Sequence, residues 1–377
     1  MRERIWAAMA LPAAAILLAL VAGAVVMILS SPIVTGHFDP LLPLATYSAI
    51  IQGSLLSVSG MVDTVTAATP LILVGLSVAL CFKAGLFNIG GYGQFLMGAV
   101  AAAGVGAALS TASPAIALPG AILAGVIAGA LYGFIPGALK AFTGAHEVVT
   151  TIMLNYIAFY MISYLVTGPL REEGASFARS SDVGNAAIPV IFNQGTGHEA
   201  HLGIFLPFIA APIIWWLLYR STLGFEIRTV GASPDAARYA GMRPRMLVTL
   251  TMAVGGLLAG LAGAVEILGV QHYMPAAYST NVGFDAITVA LLARANPIGV
   301  IFSGLLLGAM RAGAPLMQVQ AGVPIQMIDL LQGLILFFLT ADILVRKVFR
   351  IRAAGGGVDE LSTVARTYGG QTTTTAP

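Results

Sequence analysis

The feature that most limits what this chain can become is its succession of apolar blocks about 17 to 25 residues long, the length that carries a helix across a hydrocarbon core of roughly 30 Å. A run such as LPAAAILLALVAGAVVMIL, residues 11–29, has no two-residue alternation, so it is not a strand of an outer-membrane barrel. Blocks of this kind fall at about 6–29, 64–82, 86–109, 115–139, 148–168, 202–219, 247–271, 283–295, 298–312 and 324–345, the eighth and ninth being short. Only 9% of the 377 residues are charged, against about 25% in an ordinary soluble domain, too few to cover a soluble surface. The expected fold class is all-α: a polytopic membrane helical bundle of about ten transmembrane helices within residues 1–352. The apolar run from Ile5 to Leu29 is longer than the roughly 7–15 residues of a cleaved signal core and reads as a retained first span.

Charge placement sets the expected orientation. With ten spans and the N-terminus inside, only Arg171, Arg179 and Arg311 of the 18 Lys and Arg fall outside, as the positive-inside bias requires. An additional crossing at 41–61 would move Arg220, Arg228, Arg238, Arg243 and Arg245 outside together. That stretch, polar through Tyr47, Gln52 and four serines, is therefore expected to lie on or dip into the outer surface, with both termini cytoplasmic. Two connections are long and polar: an external one at about 169–201 and an internal one, Arg220 to Arg245. Residues 353–377, ending TTTTAP, read as a disordered cytoplasmic tail.

The sequence holds no phosphate loop, no H-E-x-x-H and no G-x-S-x-G elbow, so no enzyme activity is expected, and any nucleotide-driven step needs another subunit. One cysteine, Cys81, and no Cys/His cluster of metal-ligand spacing leave no metal or redox centre to propose. Nothing suggests nucleic-acid binding. The five histidines sit near span boundaries or in external connections and read as interfacial or solvated. Ionisable residues also keep to span ends: Glu147 at an inner edge, Glu266 and Asp285 near the outer edge, Asp329 one turn into the last span. No ionisable pair stands at mid-depth, which disfavours ion coupling. For Glu266 and Asp285, an outward-facing polar site and simple interfacial solvation both fit. Glycines repeat every four residues at Gly125, Gly129, Gly133 and Gly137, with Gly256/Gly260 and Gly304/Gly308 repeating the device, a pattern that lets helix backbones pack closely.

The internal connection, TLGFEIRTVGASPDAARYAGMRPR, is the most specific local feature. Ser233 is placed to cap a helix whose first residue is Pro234, Asp235 suits its first turn, and Gly241 suits its end. The result is a short helix flanked by arginines. A helix anchored at lipid headgroups and a knob presented to a cytoplasmic partner are both consistent with it.

That loop resembles the coupling segment of permease subunits in bacterial ATP-binding-cassette importers of the branched-chain amino acid, simple sugar and nucleoside class. The residues that carry the likeness are Gly224, Arg228, Gly231, Ala236, Ala237 and Gly241, with Ser233 and Arg238 beside them. AGLFNIGGYGQFLMGA (84–99), HEVVTTIMLNYIAFYMISYLVTGPL (146–170), LAGLAGAVEILGV (258–270), GFDAITVALLARANPIGV (283–300) and GVPIQMIDLLQGLILF (322–337) resemble the nucleoside-type branch in matching order. The resemblance implies a branched-chain amino acid/ribose-type permease in the cytoplasmic membrane. It further implies two ATP-hydrolysing subunits that use ATP and Mg, a second and different permease chain, an extracytoplasmic solute-binding lipoprotein, and no cofactor on this chain. Segment 220–245 would couple to the ATPase. Solute would follow a largely uncharged path past Asn88, Gln94, Thr150, Thr151 and Asn155, with Glu147, Glu266 and Asp285 as its charged groups. The polar five serve equally as interhelical hydrogen-bond glue. Tyr92 and His146 stand where the family often carries a carboxylate and an Asn, which bears on the solute: a nucleoside first, a simple sugar next, a branched-chain amino acid third. From a different class, a self-sufficient secondary carrier or channel would transport without any ATPase.

Overall fold

A computed structural model describes residues 2–34, 36–193, 199–341 and 345; the expected tail at 353–377 lies outside the described residues. The apolar blocks become helices α1 (Arg2–Val34), α2 (Leu42–Leu55), α3 (Val58–Lys83), α4 (Gly91–Ala108), α5 (Pro114–Thr143), α6 (Glu147–Thr167) and α7 (Leu206–Arg220). They continue as α8 (Thr222–Ala232), α9 (Pro234–Tyr239), α10 (Pro244–Glu266), α11 (Val282–Leu292), α12 (Pro297–Ala321) and α13 (Gln326–Thr340). Among the described residues, seven segments are long and apolar enough to cross a membrane: those of α1, α3, α5, α6, α7, α10 and α12. The other three expected crossings are α4, α11 and α13, of 18, 11 and 15 residues. At 1.5 Å per residue they cover about 27, 17 and 23 Å, so the count of about ten is looser than the block pattern implied.

The stretch 41–61 does not form one helix. α2 has 14 residues, about 21 Å, and the chain breaks at Leu56–Ser57, where Ser57 Oγ accepts from Gly60 N at 2.9 Å and caps α3. α2 is wedged against α12: a methyl on Gly53 would stand 3.1 Å from Gly313 Cα.

α3 is apolar nearly all round because it runs through the middle of the bundle; 78% of its most apolar window is buried, as expected for a helix without a solvated face. Beside it the glycine stripe of α5 faces α10. A methyl on Gly133 would reach within 2.5 Å of the Met252 carbonyl oxygen, and one on Gly125 within 2.8 Å of Ala264 Cβ. Gly129 meets Gly256 and Gly260 backbone to backbone, and Gly308 likewise packs on Thr64 and Ala68 of α3. These contacts exist only because no side chain intervenes. α6 is one-sided: Thr151, Asn155, Ala158 and Ile162 are buried, while Tyr156, Tyr160 and Tyr164 stand exposed on the opposite face.

At the end of the bundle away from α8 and α9, the polar connection expected at 169–201 folds onto neighbouring loops. Ser180 N donates to Met274 O at 2.8 Å, Val183 N to His272 O at 3.0 Å and Asn185 N to Ser110 O at 3.0 Å. Arg179 Nε pairs with Glu172 Oε2 at 2.6 Å and its guanidinium lies 4.9 Å from the Tyr273 ring centre. A short antiparallel pair, β1 (Val190–Asn193) with β2 (Glu199–His201), completes this cap. His201 is not solvated as expected: it is 1% exposed, and neither ring nitrogen has a hydrogen-bond partner among the described residues. Burial, with His272 adding to it, pulls its pKa down to about 4.

Candidate functional site

Three groups of sequence-singled residues occupy distinct places in this fold. The first is the connection between α7 and α10. Ser233 Oγ accepts from Ala236 N at 3.3 Å and opens α9, with Pro234 first and Asp235 in the first turn. Gly241 ends the segment at φ +82°, its N–H donating to Arg238 O at 3.0 Å, and Met242 N donates to Ala237 O at 3.0 Å. Left-handed backbone is open to glycine at no steric cost.

A second helix in this connection, α8, escaped the sequence reading. Ser221 Oγ accepts from Gly224 N at 3.0 Å and caps it. Two glycines explain its seat. A methyl on Gly224 would stand 2.6 Å from Leu218 Cα, and one on Gly231 would stand 2.8 Å from the Ala84 carbonyl carbon and 2.9 Å from Gly85 N. α8 is thus pressed onto the end of α7 at one point and onto the α3–α4 turn at another. Arg228 points back at the bundle: its guanidinium lies 5.1 Å from the Tyr219 ring centre, and its buried Nε has no hydrogen-bond partner among the described residues. On α9 only Ala237 is buried; Ala236, Arg238 and Gly241 are exposed and Tyr239 is 94% exposed. The outcome is a firmly seated helix pair whose outer face, among the described residues, is exposed.

The second group surrounds the α3–α4 turn. Asn88 and Gln94 exchange amide hydrogen bonds at 3.1 and 3.2 Å, and Asn88 Nδ2 also reaches Ser77 Oγ at 3.4 Å. Asn155 accepts from Gly93 N at 2.8 Å and donates to Ile89 O at 3.0 Å. These bonds give the non-helical backbone of 84–90 partners inside the bundle, as buried polar groups require. Glu147 pairs with Lys140 Nζ at 2.9 Å across the α5–α6 turn. Thr151 donates to the Glu147 carbonyl at 2.7 Å, and half-buried Thr150 reaches it at 3.1 Å.

The third group joins the two remaining carboxylates, at the opposite end from α9. Tyr278 OH donates to Glu266 Oε1 at 3.0 Å, Gln271 Nε2 reaches the same oxygen at 3.4 Å, and Tyr92 OH donates to the Tyr278 carbonyl at 3.1 Å. Burial and the nearby Glu266 carboxylate push the Tyr278 phenol up, keeping it a donor. Asp285 is held by Arg311, and the amide of Gln332, its nitrogen turned to Asp285, donates to both carboxylate oxygens at 3.0 Å. The sequence reading placed Arg311 at an outer boundary and gave it no partner. Its signal was a lone cation beside an apolar block, which is tolerated there only when paired. Among the described residues no cluster of three or more His, Cys, Asp or Glu could hold a metal ion.

Helices of crossing length, a capped helix pair projecting from one end and a polar network at the other define a multi-span membrane transport subunit. The profile of the family described as branched-chain amino acid transport system, permease component, matches residues 60–340, and the chain belongs to that family. It is 39% identical over 339 residues to the guanosine ABC transporter permease protein NupP of Bacillus subtilis, covering 89% of this chain and 94% of that one. It is 34% identical over 343 residues to the glucose ABC transporter permease protein TsgB13 of Haloferax volcanii (89% and 87%) and 32% identical over 310 residues to the nucleoside ABC transporter permease protein NupB of Lactococcus lactis (80% and 85%). No solved structure matches the chain. The protein is an integral membrane permease subunit of an ATP-binding-cassette transporter and is itself non-catalytic.

Proposed function

We propose that this subunit carries a nucleoside inward across a bacterial cytoplasmic membrane, and that α8–α9 receives the movement of a cytoplasmic ATPase that binds ATP and Mg. The observation that carries the coupling is the contrast within one segment. Gly224 and Gly231 clamp α8 to the bundle, whereas the outer face of α9, with Tyr239 94% exposed, is uncovered by the described residues. Such an element transmits displacement from a partner without deforming. The bias of Lys and Arg along the sequence supports an inside position for α8–α9 and for both termini. The exposed tyrosines of α6 support a protein neighbour within the membrane, since their hydroxyls have no hydrogen-bond partner among the described residues and lipid offers none. A second, related permease chain fits that face, and an extracytoplasmic solute-binding lipoprotein would deliver the solute to the capped end. The nucleoside choice leans on the relatives named for guanosine and nucleosides; the relative named for glucose keeps a simple sugar as the second reading.

The test is co-purification and uptake with Tyr239→Ala and with residues 233–241 deleted. Tyr239→Ala removes an exposed side chain and leaves insertion intact, so loss of the ATPase and of ATP-driven uptake in both variants is expected. Retention of both functions in both variants would refute the coupling role. Competition of labelled guanosine uptake by unlabelled nucleosides and by glucose then separates the two solute readings.

A further inference from the structure

Between α11 and α13 lies a groove of about 180 Å³ that neither the coupling segment nor the polar α3–α4 turn uses. It opens at the capped end and descends from Asn281 to Thr288, about 10 Å along α11. Asp285 and Gln332 line it but are already committed, Asp285 to Arg311 and Gln332 to Asp285. The rest of its wall is not committed. Thr288 lines the groove, is only 2% exposed and makes no hydrogen bond to any described residue. Its hydroxyl is left accessible to the groove and is free to donate to or accept from whatever fills the space. Asp329, one turn before Gln332 on α13, offers an exposed carboxylate at the rim. Asn281 faces it with an amide that does not cap α11, and Phe284 presents an exposed aromatic face between them.

We propose that this groove is a contact station for the ribosyl half of the solute, with Asp329 accepting from two adjacent hydroxyls, Thr288 and Asn281 completing their hydrogen bonds, and Phe284 packing on the flat face of the attached base. A carboxylate has the spacing to accept two donors side by side. Asp329, with no ion-pair partner among the described residues, disfavours phosphorylated solutes, so the ligand is a neutral polyol rather than a nucleotide. This assignment rests on the nucleoside reading above and says where on this chain that reading is enforced.

The experiment uses the complete transporter in proteoliposomes, with its binding protein saturated by each solute so that the binding protein's own preference drops out. Guanosine, adenosine, their 2′-deoxy counterparts and D-ribose are compared for wild type, Thr288→Val and Asp329→Asn. Thr288→Val keeps the shape and removes a hydroxyl with no hydrogen bond to any described residue, so membrane insertion and assembly are expected at wild-type level. Both variants should slow ribonucleoside transport at least fivefold and shrink the preference over the 2′-deoxy compounds. A parallel loss of D-ribose uptake would mark the sugar alone as sufficient, and D-ribose untouched beside impaired nucleosides would mark the base as required; either supports the groove. Unchanged ribonucleoside rates in both variants, or equal losses for ribo- and 2′-deoxy solutes, overturn it while leaving the nucleoside reading standing. A wild-type transporter that moves none of the five overturns both.

Discussion

Replacing Gly231 by alanine probes whether α8 must sit hard against the bundle for the transporter to work. The added methyl would lie 2.8 Å from the Ala84 carbonyl carbon and 2.9 Å from Gly85 N. The Lys83 carbonyl oxygen stands nearer still, and ordinary contacts are about 3.5–4.0 Å, so the helix must retreat by about 1 Å. The obstacle is backbone, with no flexible side chain to yield, and overpacking of this kind costs about 1–3 kcal/mol. If that cost falls on the seated arrangement proposed to receive the ATPase movement, coupling weakens by about 5–150-fold. Proteoliposomes holding the assembled transporter should lose at least fivefold in ATP-driven solute uptake while ATP hydrolysis stays within about twofold. Gly241→Ala is the contrast, because nothing lies within 4 Å of its added methyl and only the φ of +82° is strained. It should cost about 1–2 kcal/mol locally and affect uptake less. Wild-type uptake and wild-type thermal stability in Gly231→Ala would refute the argument that α8 works by close seating.

Two further outcomes follow from the capped end. Arg311→Gln leaves Asp285 without its cation, and breaking a buried pair this way costs about 3 kcal/mol or more. A lowered unfolding temperature is expected, partly restored in the double variant Arg311→Gln/Asp285→Asn, and additive losses would show that the pair is not a unit. His201, neutral in the fold with a pKa of about 4 against about 6.5 when unfolded, takes up its proton in the unfolded chain first. Stability is therefore full above pH 6.5 and falls as pH drops from 6.5 toward 4, by about 3 kcal/mol in total. Denaturation midpoints measured across that range should slope for wild type and flatten in His201→Leu, and identical slopes would remove His201 as the cause.

What was legible in the sequence was what depends on near neighbours. Ser233, Pro234, Asp235 and Gly241 bound a helix through contacts three or four residues apart, so their order alone places α9. The glycine ladder at 125, 129, 133 and 137 announced a close backbone approach for the same reason, though not that its partner is Gly256 and Gly260. α8 was obscured because Gly224 and Gly231 lower helix propensity, and their purpose is a close approach to the end of α7 at Leu218 and to the remote α3–α4 turn at Ala84. The partners of Asp285 come from α12 and α13, and no spacing rule links 285 with 311 and 332. The partner of Arg311 was missed because counting positive charge by side takes no account of which charges are paired. His201 was misread for a related reason: a histidine beside a span boundary is usually wet, and only the fold of the 169–201 connection brings Gly203 and Gly269 against its ring.

The α5–α10 seam has a mechanical consequence. α10 begins three residues after Gly241 and runs 23 residues, about 34 Å, to Glu266 at the capped end. Along much of that length its neighbour is the bare backbone of α5, with no rotamer to turn and no void to close before force is felt. A push delivered at α9 therefore meets a stiff strut with little slack. Its far end must move in step with its near end, and Glu266 is where that motion emerges.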